Sequence, residues 1–348
     1  MSELRHDPIN RRWVAVALER SRRPGDFDFA PPVPDSDEPP CDFCPGREPS
    51  TPPELYAVRD NGEANSPGWL VRVVPNRTPV LAIEGELDRK AVGLYDRMRG
   101  VGAHEIVIET PDHRLRPSEM PRLQLAAALA ASRFRIADLM NDGRFKYALL
   151  FRNYGVAAGS TMHHPNQQIV ATPVTPLRVS RQLSSARSYY HIKERCLFCD
   201  IIDQELADGS RLVQVDDTFI TFAPYASRFP YELHVYPRHH RCRFTDADEA
   251  TIEALAAHLQ QVFRRLDVVL GNPPLNWMLI NAPNTRAAAP RSGFWVTLEH
   301  DFHWHLEILP RLTPLAGFEW GTGLYVNPTA PEDAAAFLRD ALAPESAS

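Results

Sequence analysis

The chain has no apolar run of the roughly 18 residues that a membrane-spanning helix needs, so a membrane span is excluded. Its first residues, Met-Ser-Glu-Leu-Arg-His-Asp, hold no apolar core of the kind a signal peptide carries, and a cytoplasmic location is expected. There is no basic surplus either. The formal net charge is −6, which argues against nucleic acid as a bulk partner, although local basic clusters could still hold one phosphorylated metabolite. Cysteine is scarce, with 5 in 348 residues. What remains is an ordinary soluble composition, 44% hydrophobic and 24% charged, long enough for one large domain or two ordinary ones.

The few cysteines are not scattered. Four form two Cys-x-x-Cys pairs, Cys41/Cys44 and Cys196/Cys199, with Cys242 left over. In a chain with 13 histidines, paired cysteines of this kind favour metal sites over disulfides. The stretch that organises the rest is Gly159-Ser-Thr-Met-His-His-Pro-Asn-Gln-Gln-Ile-Val170. It follows the apolar run Tyr147–Phe151 and ends in another, which predicts strand, glycine-bearing turn, strand. A similar cluster returns as Phe302-His-Trp-His-Leu-Glu-Ile308.

Taken in order, the chain shows one pattern twice. In the first half come Cys41-Asp-Phe-Cys44 within a proline-rich loop over 30–54, a strand from His104 ending near His113, an amphipathic helix over 118–140, a strand to Phe151, and His164 to Ile169. The second half runs through Cys196-Leu-Phe-Cys199, a strand from Tyr231 ending in His239-His240, a helix over Ile252–Leu270, Asn276–Ile280, and His303 to Ile308. The order of features predicts an internal duplication of an α+β unit. We expect an N-terminal half over 1–175, a polar linker over 176–195 and a C-terminal half over 196–348. Each half supplies four ligands of the type that tetrahedral zinc prefers: Cys41, Cys44, His113 and His164, then Cys196, Cys199, His240 and His303, with His239 competing for the place of His240. The basic cluster Glu19-Arg-Ser-Arg-Arg-Pro24 reads either as a solvated turn or as a phosphate clamp.

Several motifs together resemble the galactose-1-phosphate uridylyltransferase branch of the histidine triad superfamily, on the side of its bacterial members that are similar to ADP-glucose phosphorylase. They include Leu4-Arg-His-Asp-Pro-Ile-Asn-Arg-Arg-Trp-Val14, Arg20-Ser-Arg-Arg-Pro24, Cys41-Asp-Phe-Cys-Pro-Gly46, Val71-Arg-Val-Val-Pro-Asn76 and His104-Glu-Ile-Val-Ile-Glu-Thr-Pro-Asp-His113. Phe151-Arg-Asn-Tyr-Gly155, His164-Pro-x-x-Gln-Ile169, His303-Trp-His-Leu-Glu-Ile-Leu-Pro-Arg-Leu312 and Gly317-Phe-Glu-Trp-Gly-Thr-Gly323 extend the resemblance over almost the whole chain. It implies two histidine-triad-like halves with antiparallel sheets and packed helices, a homodimer, and two Zn2+ sites. The implied activity moves a nucleoside monophosphate between sugar 1-phosphates through a covalent nucleotidyl-histidine. By that match His164 is a metal ligand and Gln168 a phosphate contact. Arg20, Arg23, Asn76, Arg77, Asn153, Gly159 and Ser160 fall on nucleotide and phosphate contacts, and Glu319 lies in the segment that reaches the sugar phosphate.

One residue departs from the motif. The nucleophilic histidine of the family is Asn166 here. An amide nitrogen is delocalised into its carbonyl and does not attack phosphorus usefully, so the standard covalent route is closed at this position. Three readings follow: direct attack by the acceptor on the bound nucleotide, relocation of the active centre to His305 with Glu307 in place of the glutamine, or nucleotide binding without turnover. The engineered replacement of a natural histidine is a fourth. The first corresponds to nucleotidyl transfer on nucleotide sugars or to phosphorolysis with inorganic phosphate as acceptor.

Overall fold

A computed structural model describes residues 1–30, 32, 41–287 and 295–342. Pro31, Pro34, Pro39 and Pro40 of the expected proline-rich loop lie outside the described residues. The strands are β1 (Glu3–Asp7), β2 (Arg12–Val16), β3 (Tyr56–Arg59), β4 (Trp69–Pro75), β5 (Lys90–Val92), β6 (Tyr95–Arg97), β7 (Ala103–Ile108), β8 (Tyr147–Tyr154), β9 (Asn166–Thr172), β10 (Leu212–Val215), β11 (Phe219–Phe222), β12 (Leu233–Pro237), β13 (Leu275–Ile280), β14 (His305–Pro310) and β15 (Tyr325–Asn327). The helices are α1 (Arg122–Leu139), α2 (Leu177–Lys193), α3 (Leu197–Asp208), α4 (Glu249–Leu270), α5 (Leu298–Asp301), α6 (Gly317–Thr322) and α7 (Pro331–Asp340). Among the described residues no helix is long and apolar enough to cross a membrane.

Ten strands form one sheet in the order β10-β11-β12-β14-β13-β8-β9-β7-β4-β3. Read outward from the central β13–β8 pair, the two sides carry the same sequence of elements. Gln168 on β9 faces Phe151 on β8, Glu307 on β14 faces Met278 on β13, and Phe151 faces Met278 across the junction. The Phe151–Met278 pair therefore lies on a pseudo-two-fold axis that relates the halves. The chain is α+β, with duplicated antiparallel halves.

One face of the sheet is closed by α1 and α4. Leu125, Leu129 and Ile136 recur at helical spacing on α1, and Leu255, Leu259 and Leu266 do so on α4. They bury against Val107, Ile169 and Leu150 from the first half and Val235, Leu306 and Trp277 from the second. The ends of α4 are specified locally. Asp248 caps its first turn through the Thr251 N–H at 2.9 Å, and Gly271 takes the left-handed conformation at its end.

The opposite face is covered unevenly. Residues 177–193, read from sequence as a polar linker with helical tendency, fold into α2, which buries Val179, Leu183 and Ala186. With Leu197, Phe198 and Ile202 of α3 they pack on Ile220, Phe222, Tyr236 and Ile280 of the second half. The first half receives only a small cap, in which Phe43 and Trp69 pack with Val74, Ile106 and Ile108. Tyr147 and Leu149 of β8 join the α2 cluster, and the stretch around Phe151, Asn153 and Gln168 is left half-exposed. A separate three-stranded sheet, β1-β2-β15, ties the N-terminus to the C-terminal segment, with β15 parallel to β2.

His258 fastens α4 to the sheet edge through Asp216 at 2.5 Å and Thr221 at 2.7 Å. Burial works to raise the Asp216 carboxyl, but the bonds from His258 and the backbone N–H groups of Phe219 and Thr218 prevail and hold it at about 2. The folded value is depressed, so this stabilisation is complete above the unfolded value of about 3.9 and is lost as the pH falls through about 2. Asp216→Asn is expected to flatten the dependence of the urea midpoint on pH between about 4 and 2. An unchanged acid limb would count against the assignment.

Candidate active site and metal centres

The open face of the first half carries a row of side-chain amides. Strand alternation puts Asn166 and Gln168 of β9, Asn153 of β8 and His104 of β7 on this face, with Asn76 just beyond β4. The residues on the other parity, Gln167 and Glu105, bond to Ser132 and Arg135 of α1. Gln168 Oε1 lies 2.9 Å from His104 Nε2. Asn76 Nδ2 lies 3.2 Å from the same nitrogen, and its Oδ1 accepts from the Thr78 N–H at 2.9 Å. Asn153 Oδ1 accepts from Asn276 Nδ2 at 2.8 Å.

The row ends at the turn after β8. Gly155 takes φ +83° and sits so close to Pro32 and Pro274 that a Cβ there would come within 2.9 Å of each. The turn closes at Gly159, also left-handed, and the Ser160 hydroxyl donates to the Met162 carbonyl at 2.6 Å. Asn276 ties this turn to the row through the Ala158 carbonyl at 2.8 Å.

Asn166 is buried, and its Nδ2 donates to the His164 carbonyl at 2.8 Å. The pseudo-symmetric His305 does the same with Nδ1, which lies 3.1 Å from the His303 carbonyl. Asn166 thus keeps the inward hydrogen bond of an imidazole at this position but offers no outward ring nitrogen.

The relocation to His305 meets a steric obstacle. His305 is fully buried, stacked on Tyr236 with ring centres 4.7 Å apart and covered by Phe198 at 5.5 Å. Its neighbour Glu307 is fully buried and ion-paired with Arg228 at 2.7 Å and with Arg178. Burial alone would raise the Glu307 carboxyl, yet the Arg178 and Arg228 guanidinium groups hold it well below the usual carboxylate range. Gln182 lies beside it, 3.4 Å from Glu307 Oε1. At His305 and Glu307 the second copy is therefore a buried charge network, while Glu232, His234 and Tyr236 beside it line a cavity of about 440 Å³.

Of the remaining sequence candidates, Arg77 is exposed and pairs with Asp42 at 3.5 Å. Arg20 and Glu319 line a recess of about 280 Å³ together with Arg22 and Arg228. Arg23 is exposed beside them, its backbone N–H bonded to Asp26. They are placed by the small sheet and α6, apart from the amide row. His104 and Asn276 escaped the sequence reading as site residues. Their signal was parity: each faces the same side as Gln168 and Asn153.

Two groups of side chains could each hold a metal ion. Cys41, Cys44, His113 and His164 place their ligand atoms within 4.8 Å of one another, as do Cys196, Cys199, His240 and His303. In the first group the Cys41–Cys44 sulfurs are 3.7 Å apart, Cys41–His164 Nδ1 is 3.5 Å and Cys44–His113 Nδ1 is 3.5 Å. Tetrahedral zinc with bonds of about 2.3 Å to sulfur and about 2.0 Å to nitrogen requires edges of roughly 3.5–3.8 Å, so the donors fit. In the second group, Cys199 lies 3.3 Å from His240 Nδ1 and 3.7 Å from His303 Nδ1. The outer nitrogens are tied as metal-binding imidazoles usually are. His164 Nε2 is 2.7 Å from the Thr110 carbonyl and His240 Nε2 is 2.9 Å from that of Glu299. Burial pushes His164 down to about 4, which keeps its imidazole neutral for ligation. His240, not His239, fills the second set.

Fold and site define a duplicated antiparallel α+β protein with two Cys/Cys/His/His groups. A profile described as galactose-1-phosphate uridyl transferase, C-terminal domain, matches residues 182–337. The chain is 31% identical over 343 residues to ADP-glucose phosphorylase of Arabidopsis thaliana, covering 97% of this chain and 92% of that protein. It is 28% identical over 348 residues to galactose-1-phosphate uridylyltransferase of Thermotoga maritima, covering 98% of each. A crystal structure of the Arabidopsis thaliana ADP-glucose phosphorylase with bound ADP-glucose superposes with a TM-score of 0.82 at 29% identity, over 99% of this chain and 100% of that one. The chain belongs to the galactose-1-phosphate uridylyltransferase family, which takes in ADP-glucose phosphorylase.

If both groups bind metal independently, purified protein holds two zinc equivalents per chain by elemental analysis. Cys41→Ser and Cys196→Ser should each remove one. Full metal content in both variants would exclude these ligand sets.

Proposed function

We propose that this protein transfers a nucleoside monophosphate from a nucleotide sugar to a hexose 1-phosphate, by direct displacement. The observation that carries the reading is the half-exposed amide row of Asn76, Gln168 and Asn153, with Asn166 buried beside it on the same strand face. It sits where the family resemblance puts the nucleophile and the phosphate contacts. An acceptor phosphate oxygen attacks the α-phosphorus, a new P–O bond forms, and the bond to the departing hexose phosphate breaks with its electron pair on that oxygen. Gln168 steadies a non-bridging oxygen while charge shifts, a role that neutral donors serve well in a dry site. Asn153, Asn76, Gly159 and Ser160 hold the nucleotide. Arg77, Arg20, Arg23 and Glu319 take the phosphates and the sugar, the last three from a partner subunit in a homodimer.

A second reading replaces the hexose phosphate with inorganic phosphate. Two observations favour it: the 31% identity to an ADP-glucose phosphorylase and the second Cys/Cys/His/His group. In both readings the metal is zinc and structural. It ties the Cys41–Cys44 loop to the sheet in the first half and α3 to the sheet in the second. The division into halves at 1–175 and 196–348 is supported by the mirrored strand order, with α2 as the segment between them. Reduced, ligand-type cysteines fit a cytoplasmic setting.

The test is incubation with UDP-glucose or ADP-glucose, each with and without galactose 1-phosphate or phosphate, followed by product analysis and intact mass. Acceptor-dependent product with no gain in protein mass is expected. A mass gain of one nucleotide would overturn direct displacement, and tight binding without product would overturn both enzyme readings. Asn166→His should restore a nucleotidyl adduct that the native chain lacks.

A further inference from the structure

The amides of the active face share an orientation that their neighbours impose. Val80 donates its backbone N–H to His104 Nδ1 at 3.3 Å. That nitrogen is therefore an acceptor, and in the neutral ring the proton sits on Nε2. Nε2–H then donates to Gln168 Oε1 at 2.9 Å, and the Gln168 NH2 group is left facing away from His104. Asn276 does the same for Asn153. Its Nδ2 donates to Asn153 Oδ1, so the Asn153 NH2 group is unspent. The Asn76 oxygen is held by the Thr78 N–H, and since His104 Nε2 is a donor, the Asn76 NH2 group is not consumed by it. Three amide oxygens are thus engaged from within the protein, and three NH2 ends remain for a ligand. Asn166 is turned the other way, with its Nδ2 spent on the His164 carbonyl and its oxygen free.

We propose that His104 and Asn276 are positioning residues that set the polarity of this site, making it a cradle of neutral donors for phosphoryl oxygens. His104 acts through Gln168, and Asn276 through Asn153. Neither carries charge to the ligand. Without His104 the Gln168 amide can rotate and present its oxygen to an anionic oxygen, which is repulsive. The proposal rests on the nucleotidyl-transfer reading for its ligand, a nucleotide sugar, but not for its geometry.

Binding of UDP-glucose and ADP-glucose to the full-length protein, measured by calorimetry, supplies the first arm. His104→Ala is expected to weaken binding or turnover of the preferred nucleotide sugar by about 10-fold or more, as misplacement of a contact group does. His104→Gln, which keeps a donor, should recover part of the loss. In a Gln168→Ala background, His104→Ala should cost nothing further. Losses that add in the double variant would overturn the proposal, because a purely structural role has no reason to vanish with Gln168. Asn276→Ala, which removes the donor without adding charge, should cost less in an Asn153→Ala background than where Asn153 is kept. The second arm needs no ligand. In a spectrum of 15N-histidine-labelled protein, the signals lost in His104→Gln should belong to a ring protonated at Nε2 and bare at Nδ1. The opposite tautomer would overturn the assignment even in a protein that turns nothing over. Absence of product with an intact coupling cycle and the expected tautomer would reject the transfer reading alone.

Discussion

A sheet has two faces, and both must be answered by other parts of the chain or left to water. In this protein the β8–β13 pairing fuses two equal half-sheets into one, which doubles the area to be covered. The helices α1 and α4 close one side for both halves. On the other side α2 and α3 cover mainly the second half, bringing their apolar residues to Phe222, Tyr236 and Ile280, while the first half has only the small Phe43–Trp69 cap and the α2 contact at Tyr147. The location of the candidate active face follows from that shortage of cover. The strands of the first half present polar side chains there, and burying them without partners would cost more than leaving them open.

The chemistry of the two copies has diverged along the same line. Gln168 and Asn166 in the first half stand where Glu307 and His305 stand in the second. A buried carboxylate needs a paired cation, and Glu307 has Arg228 and Arg178, while Glu232 shares Arg228 at 2.8 Å. Its charges are largely matched internally and His305 is covered, so the second copy presents a buried ionic network where the first presents neutral amides. The neutral amides of the first copy need no counterion. They can remain half-exposed until a ligand arrives, which suits a site that must be empty between turnovers.

Much of this was legible in the sequence, for identifiable reasons. The two Cys/Cys/His/His groups were visible because Cys-x-x-Cys spacing and strand-end histidines are local patterns that the fold then gathers. The duplication was visible because each half repeats its features in the same order. Helices α1 and α4 were visible because Leu129 and Leu259 recur with partners at helical spacing. The helix at 177–193 read as a linker because its buried face is short and interrupted by Gln182 and Ser185, polar residues that it nonetheless buries. The parallel pairing of β15 with β2 joins residues some three hundred positions apart, and no local pattern encodes it. His104 and Asn276 went unread as site residues for a related cause. Their importance lies in what they bond across strands, and sequence alone gives the parity of a residue but not its partner.

Asn166 fits this frame better than it fits a broken active site. The inward bond to the His164 carbonyl is retained, so the strand keeps its register and His164 keeps its place in the first Cys/Cys/His/His group. What is lost is the group that would carry the nucleotide between two half-reactions. With a carrier, donor and acceptor sugars occupy the site in turn and one subsite suffices. Without one, the acceptor must be present while the donor is still bound, and both phosphates must lie in line with the α-phosphorus. That demands room on both sides of Gln168, and this is the region that α2 and α3 leave uncovered. For the proposed direct displacement, the missing imidazole and the open face are thus parts of the same arrangement, whichever phosphate serves as acceptor.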